Sequence, residues 1–292
     1  MYRVVVVHCL FVFIFSCAEN KMIRPAKDVL SFGSPETLDI ITWNIQNFPK
    51  HDSTLNYLLQ IIPIIDSDII ALQEIVSVNE FNSLINGLDN YNGIIASSAS
   101  YNINLAFLYS NNLDIISVNE IFEDDWWAFP RSPLVAKIEW GTQDVYIINN
   151  HFKANESGTE DEARRKSASE KLENYINEYL MNENVIILGD LNDELQEDSS
   201  KNVFQNFIKD SINYKFVDLG IAFGSSTNWS YPGWPSHLDH ILITNELFDE
   251  FKNPKSKIET IQVDDYFDGG WNEYYNFISD HRAVGLCLYF IP

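Results

Sequence analysis

The sequence predicts an α/β fold. Strand-like and helix-like segments alternate along the chain, which argues against an all-α or all-β protein. The 292 residues, with 46% hydrophobic content, suit one large domain, because a single core can grow to roughly 250–300 residues. The run Val185–Leu188 has the length and composition of a buried strand and breaks off at Gly189-Asp190-Leu191-Asn192-Asp193. Residues two apart in extended backbone point to the same side. Asp190 and Asn192 are therefore expected together at the carboxyl end of that strand, where α/β folds usually place their chemistry.

The remaining elements follow in order. Leu38–Trp43 reads as the first core strand and ends at Asn44. Thr54–Ile65 carries apolar residues at helical spacing, with Pro63 expected to kink or close it. Asp68–Leu72 is a second strand, ending at Gln73-Glu74, and a short helix is expected over Asn79–Leu88. Strand-like runs follow at Gly93–Ala96, Leu105–Tyr109, Ile115–Ile121, Leu134–Glu139 and Asp144–Asn150, the last ending at His151. Glu160–Leu180 is the longest helix, apolar at Ala168, Leu172, Tyr175, Ile176 and Tyr179. Beyond the central strand come a helix near Val203–Ile208, the segment Phe216–Leu219, and strands at His237–Thr244, Ile258–Val263 and Ala283–Phe290. Two aromatic stretches, Thr227–Ser236 and Asp264–Phe277, read as loops.

The amino terminus does not read as fold material. Arg3 precedes an apolar run, Val4–Phe15, too short to span a bilayer, where about 20 residues are needed, but suited to a secretory signal. Its end, Ile14-Phe15-Ser16-Cys17-Ala18, resembles a bacterial lipoprotein cleavage box. The resemblance implies lipidation of Cys17 and a membrane anchor in the cell envelope, with plain secretion as the alternative. The expected organisation is a signal over residues 1–17, a polar tether over 18–37 and one domain over 38–292. Once the leader is removed only Cys287 remains of the three cysteines, so no internal disulfide framework is expected. The formal net charge of −23 disfavours sequence-independent binding to polyanions, which needs Lys and Arg. It leaves room for a nuclease whose bound cation supplies local positive charge.

Six strand ends present Asn44, Glu74, His151, Asp190 with Asn192, Asp239, and Asp280 with His281. Carboxylates of this kind suit Mg²⁺, Mn²⁺ or Ca²⁺, and His beside carboxylates suits acid–base chemistry. Singly, each is more often a turn or cap residue; their combination and order make the signal.

Thr42-Trp43-Asn44-Ile45-Gln46-Asn47-Phe48, Leu72-Gln73-Glu74, Asn150-His151, Gly189-Asp190-Leu191-Asn192, Leu238-Asp239-His240-Ile241-Leu242 and Ser279-Asp280-His281 together resemble the endonuclease/exonuclease/phosphatase superfamily. The resemblance runs from about Leu38 to Phe290. It implies a four-layer α/β sandwich, two mixed sheets packed face to face with helices outside. It implies a divalent-metal-dependent phosphoesterase with Glu74, Asn44 and Asp280 at the metal. Asp190 would orient the attacking water or assist a second metal, and Asn192 would donate to the scissile phosphate. His281 would act as general base or phosphate ligand, oriented by Asp239, with His151 stabilising the phosphate or leaving oxygen. Arg131, and Lys153 two residues past His151, are candidate phosphate contacts.

The match to deoxyribonuclease I is incomplete: Tyr101–Leu105 offers no acid to orient His151, and no basic residue closely follows Glu74. His240 reads as structural. The favoured expectation is an endonuclease-like phosphodiesterase acting on DNA or other nucleic acid, with no protein partner evident and a monomer expected. A sphingomyelinase-like phospholipid or inositol/sugar-phosphate esterase, or an inactive surface-binding protein, are the alternatives. The aromatic stretches would rim the site and either stack on bases, insert at lipid, or pack on each other.

Overall fold

The computed structural model describes residues 30–99, 102–156 and 158–290. The expected signal with Cys17, most of the tether, and Tyr101 lie outside the described residues. Packing begins before Leu38, since Leu30 and Phe32 are buried in the core.

The first sheet contains β1 (Leu38–Phe48), β2 (Ile69–Ile75), β3 (Tyr91–Ile95) and β4 (Asn104–Ser110), with β11 (Lys257–Ile261) and β12 (Ala283–Leu288). Its order is β11-β12-β1-β2-β4-β3. The second contains β5 (Asp114–Glu120), β6 (Leu134–Trp140), β7 (Gln143–His151), β8 (Asn184–Asp190), β9 (Tyr214–Phe216) and β10 (Asp239–Thr244), in the order β5-β6-β7-β8-β10-β9. Both sheets are mixed: β1–β2 and β7–β8 are parallel, their other pairings antiparallel.

Side-chain alternation explains the layers. Leu38, Ile40, Ile69, Ala71, Ile186, Leu188 and Ile241 meet between the sheets. The alternate residues Ile41, Trp43, Ile70 and Leu72 face outward to α1 (Thr54–Ile65) and α2 (Val78–Gly87). Likewise Ile148, Val185 and Ile187 face α3 (Thr159–Tyr179) through Ala168, Leu172 and Ile176. Strands buried on both faces need apolar residues at successive positions, which is why these strands are continuous runs in the sequence. The result is the expected four-layer sandwich.

α1 keeps its expected bounds and passes through Pro63 to Ile65 without closing there; Pro63 lies on the exposed face, where a carbonyl left without its N–H partner can bond water. Asp264–Phe277 is not a loop: α7 (Gly270–Phe277) occupies its second half. Its Tyr274 is fully buried and accepts from Trp43 Nε1 at 3.0 Å. The short helices α4 (Gln205–Lys209), α5 (Leu219–Ala222) and α6 (Phe248–Lys252) complete the chain. Among the described residues no helix is long and apolar enough to cross a membrane.

Candidate active site

The sheet order brings the polar strand ends to one edge. β1, β2, β7 and β8 finish there, while β10 and β12, running oppositely, begin there. Register aligns them further: His151 pairs with Asp190 and Asp190 with Asp239, one row across three neighbouring strands. Gly189 permits that row. Its φ is +144°, and a Cβ there would lie 2.0 Å from the Asn150 carbonyl oxygen.

The facing edge of the first sheet is irregular. The β1–β2 register shifts between Asn44 and Phe48, and Gln46, Asn47 and Glu74 take positive φ. Irregularities of this kind re-aim side chains, and left-handed backbone at non-glycine residues clusters at functional sites. Asn47 N donates to Glu74 Oε2 at 2.9 Å.

Bonds across the sheets close the site. Asn44 Nδ2 donates to Glu74 Oε1 at 3.1 Å and to Asp190 Oδ2 at 2.9 Å. Its oxygen accepts from Gln46 N, so for Asn44 to be a metal ligand its amide would have to turn over. Gln46 Nε2 donates to Asp280 Oδ2 at 2.9 Å. His281 Nδ1 bonds Asp239 Oδ2 at 2.7 Å, leaving Nε2 3.7 Å from Asp190 Oδ2. His151 Nε2 is 3.5 Å from Asp190 Oδ2 and 3.9 Å from Glu74 Oε1, while its buried Nδ1 has no partner. That orphan agrees with the missing acid in the sequence. Asn192, at φ +53°, donates through its backbone to Asp190 Oδ1 at 3.1 Å.

The electrostatics reflect crowding. Burial raises Asp190 to about 7; His281 opposes the shift, and Asp239 and Glu74 add to it. Burial opposes protonation of His281, but Asp239 and Asp190 outweigh it and lift the ring to about 10. Burial, then Arg131 and His281, holds His151 well below its ordinary value. Burial also raises Asp280. Carboxylate oxygens crowded this way, with Asp239 Oδ1 buried and unpartnered, fit a hard divalent cation, whose charge would offset their repulsion.

These residues surround a cleft of about 610 Å³ lined also by Tyr231, Trp234, Asp193, Glu194 and Glu197. Tyr231 packs on His281, ring centroids 4.7 Å apart, and Trp234 is 77% exposed. Arg131 and Lys153 line the adjoining cavity of about 820 Å³ with Trp126 and Arg164, and the charge of each helps to lower His151. Lys153 lies two residues past the end of β7 at His151; its Nζ pairs with Glu156 at 3.0 Å.

Sequence reasoning missed the polar bonds beneath the site. Gln73 Nε2 donates to Asn149 Oδ1 at 2.8 Å, and Asn149 Nδ2 donates to the Leu72 and Ala106 carbonyls at 3.0 Å. These fully buried amides pin one sheet to the other. Their signal was weak: each stands beside further polar residues, Glu74 or Asn150, at the end of its strand.

Comparison with known proteins gives the same architecture. No curated protein matches in sequence. D. rerio TDP2 complexed with a single-strand DNA product superposes with a TM-score of 0.63 at 14% identity, over 86% of this chain and 98% of that one. The human Nocturnin catalytic domain with bound sulfate gives 0.62 at 17%, over 88% and 95%. Mannosyl-6-phosphatase from Bacteroides thetaiotaomicron gives 0.61 at 13%, over 87% and 100%. The model of the Endonuclease/Exonuclease/phosphatase family matches residues 41–281, the span that carries every strand end of the cleft, and the chain belongs to that family.

Proposed function

We propose that the protein is a divalent-metal-dependent phosphodiesterase that hydrolyses single-stranded nucleic acid by attack of water on phosphorus. The observation that carries the reading is the meeting of Glu74, Asp190, Asp280, His151 and His281 around one cleft, with Asp239 buried behind His281. Glu74 and Asp280 offer oxygens to a cation of the Mg²⁺ type, with Mn²⁺ or Ca²⁺ as substitutes. Once bound, the ion polarises the phosphoryl group and stabilises the leaving oxygen.

The chain's own residues do the rest. Asp239 fixes the Nδ1–H of His281 and turns Nε2 toward Asp190. That pair orients the water and receives its proton. Asn192 and His151 donate hydrogen bonds to the phosphoryl and leaving oxygens, where charge grows. Arg131 lies beside them, and exposed Trp126 and Trp234 offer faces on which bases stack.

A second reading is a small sugar phosphate as substrate. It is favoured by Asp193, Glu194 and Glu197 on the cleft wall, which repel a polyanion and accept hydrogen bonds from hydroxyls. The expected lipid anchor at Cys17 remains part of the proposal for location, checked by phase partitioning of a Cys17→Ser variant. The deciding assay incubates the chain lacking residues 1–17 with Mg²⁺ and single-stranded DNA, RNA, sphingomyelin vesicles or mannose 6-phosphate. DNA or RNA cleavage abolished by chelator is expected. Intact esters of every class after prolonged incubation would refute the hydrolase reading.

A further inference from the structure

Beneath the cleft lies a buried titratable group that none of these roles uses: Asp218, His237 and His240, each at most 1% exposed. His237 Nδ1 accepts from Ser230 N at 3.2 Å. Its proton therefore sits on Nε2, which donates to Asp218 Oδ2 at 3.1 Å. His240 differs, because both of its nitrogens face acceptors: Asp218 Oδ2 at 2.6 Å and the Asp193 carbonyl at 2.9 Å. A ring between two acceptors carries two protons. Burial opposes ionisation of Asp218, but the two histidines outweigh it and hold the carboxyl below its ordinary range. With Ser230 N engaging the free lone pair of His237, the trio is an ion pair and not a cation site, although its donor atoms lie close together.

The bonds leaving this pair go to the catalytic segments. Asp193 follows Asn192 directly, and its side chain is clamped by Arg165 Nε at 2.8 Å. Ser230, held through His237, accepts from Asp239 N at 3.2 Å by its hydroxyl. Its carbonyl accepts from Arg282 N at 2.7 Å, beside His281. Phe204 and Phe216 present their rings to His240 at 5.8 and 5.9 Å, keeping water away from it. The Asp190–Asn192 turn includes a left-handed residue, and its internal bond runs from Asn192 N to Asp190 Oδ1 at 3.1 Å.

We propose that His240 is a positioning residue of the hydrolytic site: its Nε2–H fixes the Asp193 carbonyl and, through it, the turn that carries Asp190 and Asn192. The inference rests on the hydrolase reading above. A charge-assisted bond is shorter and stronger than a neutral one, and the dry surroundings strengthen it further. The pair thus adds a fixed point just past the turn, beyond the bond from Asn192 N to Asp190 Oδ1.

Two substitutions separate its bonds. His240→Asn keeps an amide donor near Nδ1 for Asp218 but cannot reach Asp193. His240→Gln places its amide nitrogen near Nε2 and keeps the bond to Asp193. With Mg²⁺ and bis(4-nitrophenyl) phosphate, kcat of His240→Asn is expected to fall about 10- to 100-fold, the size of effect that a roughly 1 Å misplacement produces. KM should stay near that of the wild type, and His240→Gln should recover most of the rate. Wild-type kcat in His240→Asn, or equal losses in both variants that track lost thermal stability, would overturn the proposal. Imidazole ¹⁵N shifts read the charge of His240 without substrate. Protons on both nitrogens at pH 7 are expected, and a bare nitrogen would overturn the proposal. Inertness of the wild type would overturn the hydrolase reading alone.

Discussion

His281 and Asp239 belong to opposite sheets yet share a 2.7 Å hydrogen bond. One precedes β12 and the other opens β10, so the bond exists only when the two layers dock. Because Asp239 acts through the ring, the two residues should behave as one unit. His281→Ala should lower kcat by about 10²–10⁴-fold, the range for a positioned acid–base group. Asp239→Asn should lose less, and the double variant should be no slower than His281→Ala alone. Additive losses in steady-state kinetics would show that Asp239 acts by a separate route.

Asp68 sits far from the cleft and gives a stability test. Burial raises it to about 6, with Asp39 and Asp66 adding and the bond from Asp39 N opposing. A carboxyl raised above its unfolded value favours the fold while protonated and loses that contribution as pH rises from about 4 through about 6. Asp68→Asn keeps an acceptor for Asp39 N without the charge. Its Tm should exceed that of the wild type at pH 8, and the gain should vanish by pH 4. A gain of equal size at both pH values would point to something other than ionisation.

The strand ends were legible because a strand buried on both faces reads as an apolar run, and the polar residues where the run begins or stops mark the sheet edge. Asn44, Glu74, His151, Asp190, Asp239 and His281 stood out for that reason. Gln73 and Asn149 did not, since their bond spans 76 positions and a single amide in a strand has no periodicity to expose it. α7 was hidden by composition: Trp271, Tyr274 and Phe277 fall at helical spacing, but the aromatic and acidic content of the segment reads as loop. His240 was read correctly as structural in environment, but its two acceptors come from residues 22 and 47 positions away and could not be foreseen.

Gly189 carries the tightest backbone constraint at the site. Ala would put a Cβ 2.0 Å from the Asn150 carbonyl oxygen and force a side chain onto φ +144°. Overpacking costs about 1–3 kcal/mol and disfavoured backbone a further 1–3 kcal/mol or so. Gly189→Ala should therefore lower unfolding free energy by several kcal/mol in urea titration. It should also reduce activity of the surviving folded fraction, because Asp190 is the next residue. A stable, fully active Gly189→Ala protein would mean that the β7–β8 approach can relax at no cost.

The wall of the cleft separates the two substrate readings. Glu194 and Glu197 face it with Asp193, and Glu197 is raised to about 7 by burial and then by Asp193 and Glu162. Replacing both glutamates by lysine reverses the sign of that wall without touching the residues that would meet phosphorus. If a polynucleotide runs along it, KM for single-stranded DNA should fall roughly tenfold at low salt, and the gain should fade as salt rises, because the added contacts release counterions. If sugar hydroxyls donate to these carboxylates, KM for mannose 6-phosphate should instead rise, each lost bond being worth about 1 kcal/mol, while DNA cleavage stays unchanged. Measured side by side, the two KM values move in opposite directions under the two readings, and an unchanged value for DNA would remove nucleic acid from this flank of the site.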